Sequence, residues 1–157
     1  MTRVVGARPQ VSCRLTDGDA ADLAAHHAVR HAVFVEEQGI FAASDRDVHD
    51  DDPATLHVLG LVDGEPAGTV RLFPLGDGLW QGDRLAVLTA HRTSGLGAPL
   101  VRFAVATAGA AGGRRMVAHI QPPNERFFLR LGWTRVGGVE TYVGHPHLRM
   151  EIALGGP

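Results

Sequence analysis

A strand that runs into a helix, which runs on into a second strand, dominates the middle of this 157-residue chain. Leu85-Ala86-Val87-Leu88 is an unbroken apolar run, the pattern of a strand buried on both faces. A polar loop over 89–94 follows. The next stretch predicts a helix over about 95–111. Pro99 sits in its first turn, where a missing N–H costs little, and Gly112-Gly113 stops it. Residues 114–120 then read as a strand. A strand–helix–strand crossover of this kind implies that its two strands pair in parallel.

The flanks supply antiparallel partners. Residues 11–15 read as a short first strand, and Asp17 or Asp19 is placed to cap a helix over 20–35, which Gly39 ends. An acidic loop over 44–52 closes at Pro53. Residues 55–62 and 67–73 are β-prone runs on either side of Asp63-Gly64, a strong hairpin signal. Gly76-Asp77-Gly78 turns the chain into a third meander strand over 79–88. A short helix over 124–131 stops at Gly132, and 133–143 with 147–154 read as a closing antiparallel pair. The sum is a single α/β (α+β) domain over 1–157: an antiparallel meander, one parallel crossover and a final hairpin around a mixed central sheet with flanking helices. Residues 155–157 read as a flexible tail.

A chain of this length buries one core without disulfides or metal. The formal charge of −2 and pI near 6.5 argue against nucleic acid or anionic membrane as partners, since both need a basic surface. All 15 basic residues are Arg, so no Lys serves as base or Schiff-base former. Cys13 is alone, which excludes an internal disulfide and fits a reducing cytoplasm. Residues 1–10 lack the apolar run of a signal peptide, and nothing approaches the roughly 20 apolar residues of a membrane span.

The loop after the central strand carries the chemistry. Arg92-Thr93-Ser94-Gly95-Leu96-Gly97 opens a helix, and the first N–H groups of a helix lack intrahelical partners. They point outward together with the positive end of the helix dipole, a cradle suited to pyrophosphate. Gly95 and Gly97 let an anion approach the backbone, and Arg92 adds a fixed charge. The spacing alone equally fits a plain β-to-α turn that needs glycine for its conformation; the apolar strand before it and the helix after it favour phosphate. No Gly-Lys-Ser/Thr follows, so it is not a Walker loop, and a dinucleotide fingerprint would need a third glycine.

With these residues in place, the chain resembles the GNAT superfamily of N-acetyltransferases. Arg92, Gly95 and Gly97 match its Arg/Gln-x-x-Gly-x-Gly/Ala motif. Arg30-His31-Ala32-Val33-Phe34-Val35-Glu36-Glu37-Gln38 is similar to the first-helix pattern of ElaA-like members. Phe127-Phe128-Leu129-Arg130-Leu131-Gly132-Trp133 and His147-Leu148-Arg149-Met150 resemble the closing helix and strand. Together with Ala118-His119-Ile120-Gln121 and Asn124, the nearest subfamily is the nitrogen-starvation N-acetyltransferases. The resemblance implies acetyl-CoA as co-substrate, held where two parallel strands splay near Val87 and Ile120. The pantetheine arm would pair along Leu85, Ala86 and Val87, and the pyrophosphate would rest on Arg92, Thr93, Ser94, Gly95, Leu96 and Gly97. Asn124 and Phe128 would flank the coenzyme. The implied reaction is direct acetyl transfer to a small-molecule amine, with a backbone N–H polarising the thioester carbonyl and proximity doing most of the work. A homodimer through the last strands is a family expectation. Two alternatives stand beside it: a longer-chain acyltransferase of the acyl-homoserine-lactone-synthase type, and a non-catalytic acyl-CoA sensor.

The reaction needs a base for the amine and a proton for the thiolate. Family members often donate from a Tyr where this chain has Phe128, so Tyr142, the only tyrosine, is the substitute if the final hairpin folds back. His119 and Glu37 are the candidate bases. His119 titrates in the right range, but equally reads as a packed strand histidine; Glu37 reads first as a solvated helix-end carboxylate, the more common fate of a Glu. Gln38 and Gln121 are candidate substrate contacts, and Asn124 is a candidate cap for the last helix. Of the acidic loop, Asp45 and Asp47 are the candidates for binding a cationic substrate, because ElaA-like members place acids after the Glu-Gln pair. His57, His145 and His147 lack the spacing of a metal site, and none is expected. Met116 and Met150 read as core.

Overall fold

In the computed structural model, residues 8–142 and 144–155 are described. The N-terminal residues 1–7, Val143 at the end of the expected hairpin strand, and the expected tail at 156–157 lie outside the described residues. The strands are β1 (Val11–Leu15), β2 (Leu56–Val62), β3 (Glu65–Gly76), β4 (Leu79–Val87), β5 (Arg115–Ile120), β6 (Thr134–Tyr142) and β7 (His145–Ala153), and the α-helices are α1 (Ala20–Arg30), α2 (Gly97–Ala110) and α3 (Glu125–Arg130). One seven-stranded sheet runs in the order β1-β2-β3-β4-β5-β7-β6. Every pairing is antiparallel except β4 with β5. Asp63 and Gly64 both take positive φ in the first meander turn, as a two-residue hairpin requires.

The two layers of helix set two cores. The larger joins the sheet to α2 and α3 through Val58, Val70, Leu72, Leu96, Leu100, Ala104, Met116, Phe128, Trp133 and Met150. Gly68 makes the contact between α2 and the sheet close. A Cβ there would lie 2.8 Å from both the Ala86 carbonyl oxygen and a Leu96 methyl. The smaller core holds Val29, Val33, Phe34 and Ala86. Met116 and Met150 are buried in the larger core, as expected.

The parallel pair opens almost at once. β4 and β5 are in register only at Leu79↔Arg115, Trp80↔Met116 and Gln81↔Val117. Beyond that, β5 follows β7 through Ile120 while β4 follows β3 through Val87. The register of β4 against β3 breaks between Thr69 and Arg71, and Arg84 opposite that break has φ +52°. Such a bulge bends its strand, which here separates β4 from β5.

Four local expectations need correction. The 85–88 run is not buried on both faces: Ala86 is buried, but Leu85, Val87 and Leu88 are partly exposed, because the strand borders an opened cleft on one side. The first helix is not uniform: α1 ends at Arg30, and His31–Glu37 continue as π-helical turns, with the Gln38 N–H donating to the Val33 carbonyl. Wider turns of this kind recur at functional sites. The loop over 89–94 is a 3-10 turn, and α2 starts at Gly97 because Gly95 takes φ +83°. Asn124 does not cap α3 with its side chain.

Candidate active site

The splay leaves a cavity of about 160 Å³ between β4 and β5. The π-helical turn contributes Phe34, and the residues after it Gln38, Ile40 and Phe41. Gly82, Asp83, Arg84 and Leu85 come from β4, and Met116, Ala118, His119 and Ile120 from β5. Val101 and Ala104 of α2, then Gln121, Asn124, Phe128 and Trp133, close one side; Tyr142 and His147 close the other. Seven residues singled out in the sequence therefore meet at one cavity: Gln38, Leu85, His119, Gln121, Asn124, Phe128 and Tyr142. They come from four separate stretches of chain, around 38, 85, 119–128 and 142.

His119 is the central polar group. The final hairpin does fold back, and the Tyr142 ring stacks on His119 with centroids 4.6 Å apart and planes within 11°. Tyr142 in turn meets His147 edge-on at 5.4 Å, and His147 Nδ1–H donates to the His145 carbonyl at 3.0 Å. His119 Nδ1 is buried with no hydrogen-bond partner, and so is the Trp133 indole N–H. Buried polar atoms seldom stay unpaired, so His119 Nδ1 suits a site that a ligand completes. Desolvation, and then the nearby Arg149 charge, lower the His119 pKa below its ordinary value. The ring is therefore neutral at pH 7 and able to accept a proton.

The glycine turn expected to cradle phosphate lies beside this cavity. Among the described residues, 82–87 of β4 have β3 on one side and no strand on the other, which leaves an open edge. That edge leads to the 3-10 turn Thr89–Ser94, to Gly95 in the left-handed region and to the N-terminus of α2, which has no side-chain cap. Ser94 Oγ accepts from the Leu96 N–H at 3.2 Å. Arg92 Nε–H donates to the Val87 carbonyl at 3.2 Å, and Arg92 Nη2 pairs with Glu37 at 2.5 Å. Thr89 Oγ–H donates to the other Glu37 oxygen at 2.8 Å. Hydrogen bonds from Thr89 and then Arg92 hold the Glu37 carboxyl below its ordinary pKa. Glu37 is thus a solvent-exposed carboxylate off the cavity wall that bridges the π-helical turn to the turn before α2. Gln38 and Gln121 face each other across the gap, with Gln121 Nε2 donating to Gln38 Oε1 at 3.2 Å.

Asp45 and Asp47, expected as substrate contacts, do not line this cavity; both belong to an ion network beside it. Arg30 is fully buried, donates to Asp45 at 2.6 Å and grips both oxygens of Asp50 at 2.7 and 3.0 Å. Arg71, also fully buried, pairs with Asp47 at 2.6 Å and Asp83 at 2.7 Å. Arg84 donates to the Asp45 carbonyl at 2.9 Å and lies 4.8 Å over the Phe41 ring. Asp45 is 2% exposed, which leaves no face for a substrate. The network pins the acidic loop to α1, β3 and the bulge of β4, and so fixes the cavity wall at Asp83 and Arg84. Sequence reasoning missed Arg30, Arg71, Asp83 and Arg84 in this role. The available signal was the coincidence of five acids in one loop with arginines scattered through α1 and the meander.

For metal, His145 and His147 sit at the β6–β7 hairpin, away from His57 on β2. His57 instead lies near His27 and Asp50, their donor atoms within 4.8 Å of one another. Asp50 already accepts from Arg30, His57 and the Asp47 N–H, so its oxygens are engaged. Among the described residues, no helix is long and apolar enough to cross a membrane.

A mixed sheet with one splayed parallel pair, opening onto an uncapped helix N-terminus, is the architecture of a GNAT-type domain, and the sequence agrees. Residues 22–133 match the Acetyltransferase (GNAT) family, and the chain belongs to it. It is 29% identical over 124 residues to the uncharacterized N-acetyltransferase YjcF of Bacillus subtilis, covering 78% of this chain and 86% of that one. Among solved structures, an N-acetyltransferase of unproven activity from Lactobacillus plantarum superposes with a TM-score of 0.79 at 28% identity, covering 94% and 99% of the two chains. Escherichia coli ElaA shares the fold with a TM-score of 0.76 at 23% identity, covering 91% and 98%.

Proposed function

We propose that this chain transfers an acyl group, acetyl in the simplest case, from acyl-coenzyme A to the amine of a small molecule. The observation that carries the reading is the opening of β4 from β5 onto the uncapped N-terminus of α2. In this reading the N–H groups at Gly95–Gly97 take the pyrophosphate, and the open edge at Leu85, Ala86 and Val87 takes the pantetheine arm. A backbone N–H there polarises the thioester carbonyl.

The amine attacks the thioester carbon directly; the C–N bond forms, the C–S bond breaks and thiolate leaves. His119 accepts the amine proton, which its neutral ring permits at pH 7. Glu37 is the weaker candidate, since Thr89 and Arg92 stabilise its ionised form. Tyr142, stacked on His119, is the donor to the thiolate in place of the hydroxyl that Phe128 lacks. Gln38 and Gln121 flank the entrance and orient the acceptor. The first-helix and closing motifs favour the nitrogen-starvation subfamily, and the lone Cys13 favours work in a reducing cytoplasm.

The test is thiol release from acetyl-CoA across a panel of amines, amino acids and polyamines, with calorimetry for coenzyme A in parallel. Amine-dependent release supports transfer. Coenzyme A binding without release for any amine supports a sensor, and absence of binding refutes the whole reading.

A further inference from the structure

We infer that the preferred donor carries an unbranched or branched aliphatic chain of about four to six carbons rather than acetyl. The inference rests on the acyl-coenzyme A reading above and adds the class of donor.

The cavity has two chemically distinct ends. Its rim is polar, with Gln38, His119, Gln121 and Asn124. Its far end is lined by Val70, Gly82, Val101, Ala104, Met116 and Trp133. Apart from Gly82, these side chains are no more than 4% exposed. This far end lies in the crotch of the splay, beside the last paired residues Gln81 and Val117, and reaches the face of α2. The cradle lies at the opposite, C-terminal end of β4. A thioester entering from the cradle along residues 85–87 therefore points its acyl chain at Gly82 and Met116.

Protein interiors are packed with few voids larger than a water molecule. The whole cavity, rim included, is about 160 Å³, in the range that holds a benzene ring, and its apolar end is a share of that, room for a few carbons beyond the thioester carbonyl. Ala104 on α2 leaves room at this end, and Gly82 on β4 accommodates the Met116 side chain, since a Cβ there would come within 3.1 Å of Met116 Sδ. An acetyl group has a single methyl beyond its carbonyl and would leave this apolar end unfilled. A longer chain removes one more methylene from water with each carbon added, worth about fourfold in affinity per methylene when fully buried.

Calorimetry on the intact wild-type chain reads this without knowledge of the acceptor. Hexanoyl-CoA is expected to bind up to about two-hundredfold more tightly than acetyl-CoA, four methylenes at that increment, and decanoyl-CoA no better than hexanoyl-CoA. Ala104→Leu, which fills the far end, should bring the hexanoyl-to-acetyl affinity ratio close to one. Equal or tighter binding of acetyl-CoA by the wild type overturns the pouch and leaves the acyl-coenzyme A reading standing. Failure of coenzyme A and of every thioester to bind overturns both.

Discussion

Arg30→Met tests whether the acidic loop is structural. Arg30 is fully buried and is the shared partner of Asp45 and Asp50, whose side chains are themselves only 3% and 5% exposed. Methionine keeps much of the volume and removes the charge. Two carboxylates are then left buried with fewer partners, although Arg84 still reaches Asp45 and Arg71 still reaches Asp50. Breaking a buried pair from one side costs about 3–5 kcal/mol, mostly from the uncompensated charge. Against a total of about 5–15 kcal/mol for a domain, that is a large fraction. With a urea m-value of about 2 kcal/mol/M, the midpoint should drop by about 2 M. Adding Asp50→Asn to Arg30→Met removes one stranded charge and should recover part of the loss, which a double-mutant cycle quantifies. The assay is equilibrium unfolding in urea followed by circular dichroism. A loss below about 1 kcal/mol, the value of an exposed pair, would show that these ions are solvated and would refute the network argument.

Replacing both Gly95 and Gly97 by Val should abolish coenzyme A binding in calorimetry, with the unfolding midpoint as a check on the strain at Gly95 (φ +83°); unchanged binding would remove the cradle. His119→Ala should lower amine-dependent thiol release by about 10²–10⁴-fold if the ring is the base. In the wild type, kcat/KM should fall as pH drops through a midpoint below the ordinary 6.5, because burial disfavours the charged ring and the base must be neutral; a midpoint above 7 would exclude His119. Stability should also decline in acid. Burial holds His26 down at about 3 and His27 at about 4, so the unfolded chain takes up protons first, and the stability present above pH 6.5 is lost as pH falls toward those values. At pH 4.5 the share from His26, whose side chain is fully buried, is about 2–3 kcal/mol. Urea unfolding at pH 7 and 4.5 should show a smaller difference in His26→Gln than in the wild type.

Much of the architecture follows from short-range rules. The Asp63-Gly64 turn, the Asp19 cap and the Gly112-Gly113 stop are local events, governed by φ preference and by unpaired N–H and C=O groups at helix ends. So is the glycine turn before α2, which is why that turn and the crossover were legible in the residues. The π-helical widening at His31–Glu37 was not, since nothing in the 3.6-residue pattern distinguishes it. Asn124 failed as a cap because a 3-10 turn, Pro122–Asn124, leads directly into α3.

The site itself is long-range. His119 and Tyr142 are 23 positions apart in the chain, and only the return of β6 through β7 to β5 stacks their rings. Asp45 and Asp47 read equally well as solvated or substrate-binding until Arg30, Arg71 and Arg84 arrive from three other elements to neutralise them. Residue type and spacing specify backbone conformation over a few positions, because the energies involved are local. Burial and charge pairing depend on distances between segments remote in sequence, so the partner of each ion and the shape of the cavity exist only once the sheet has assembled.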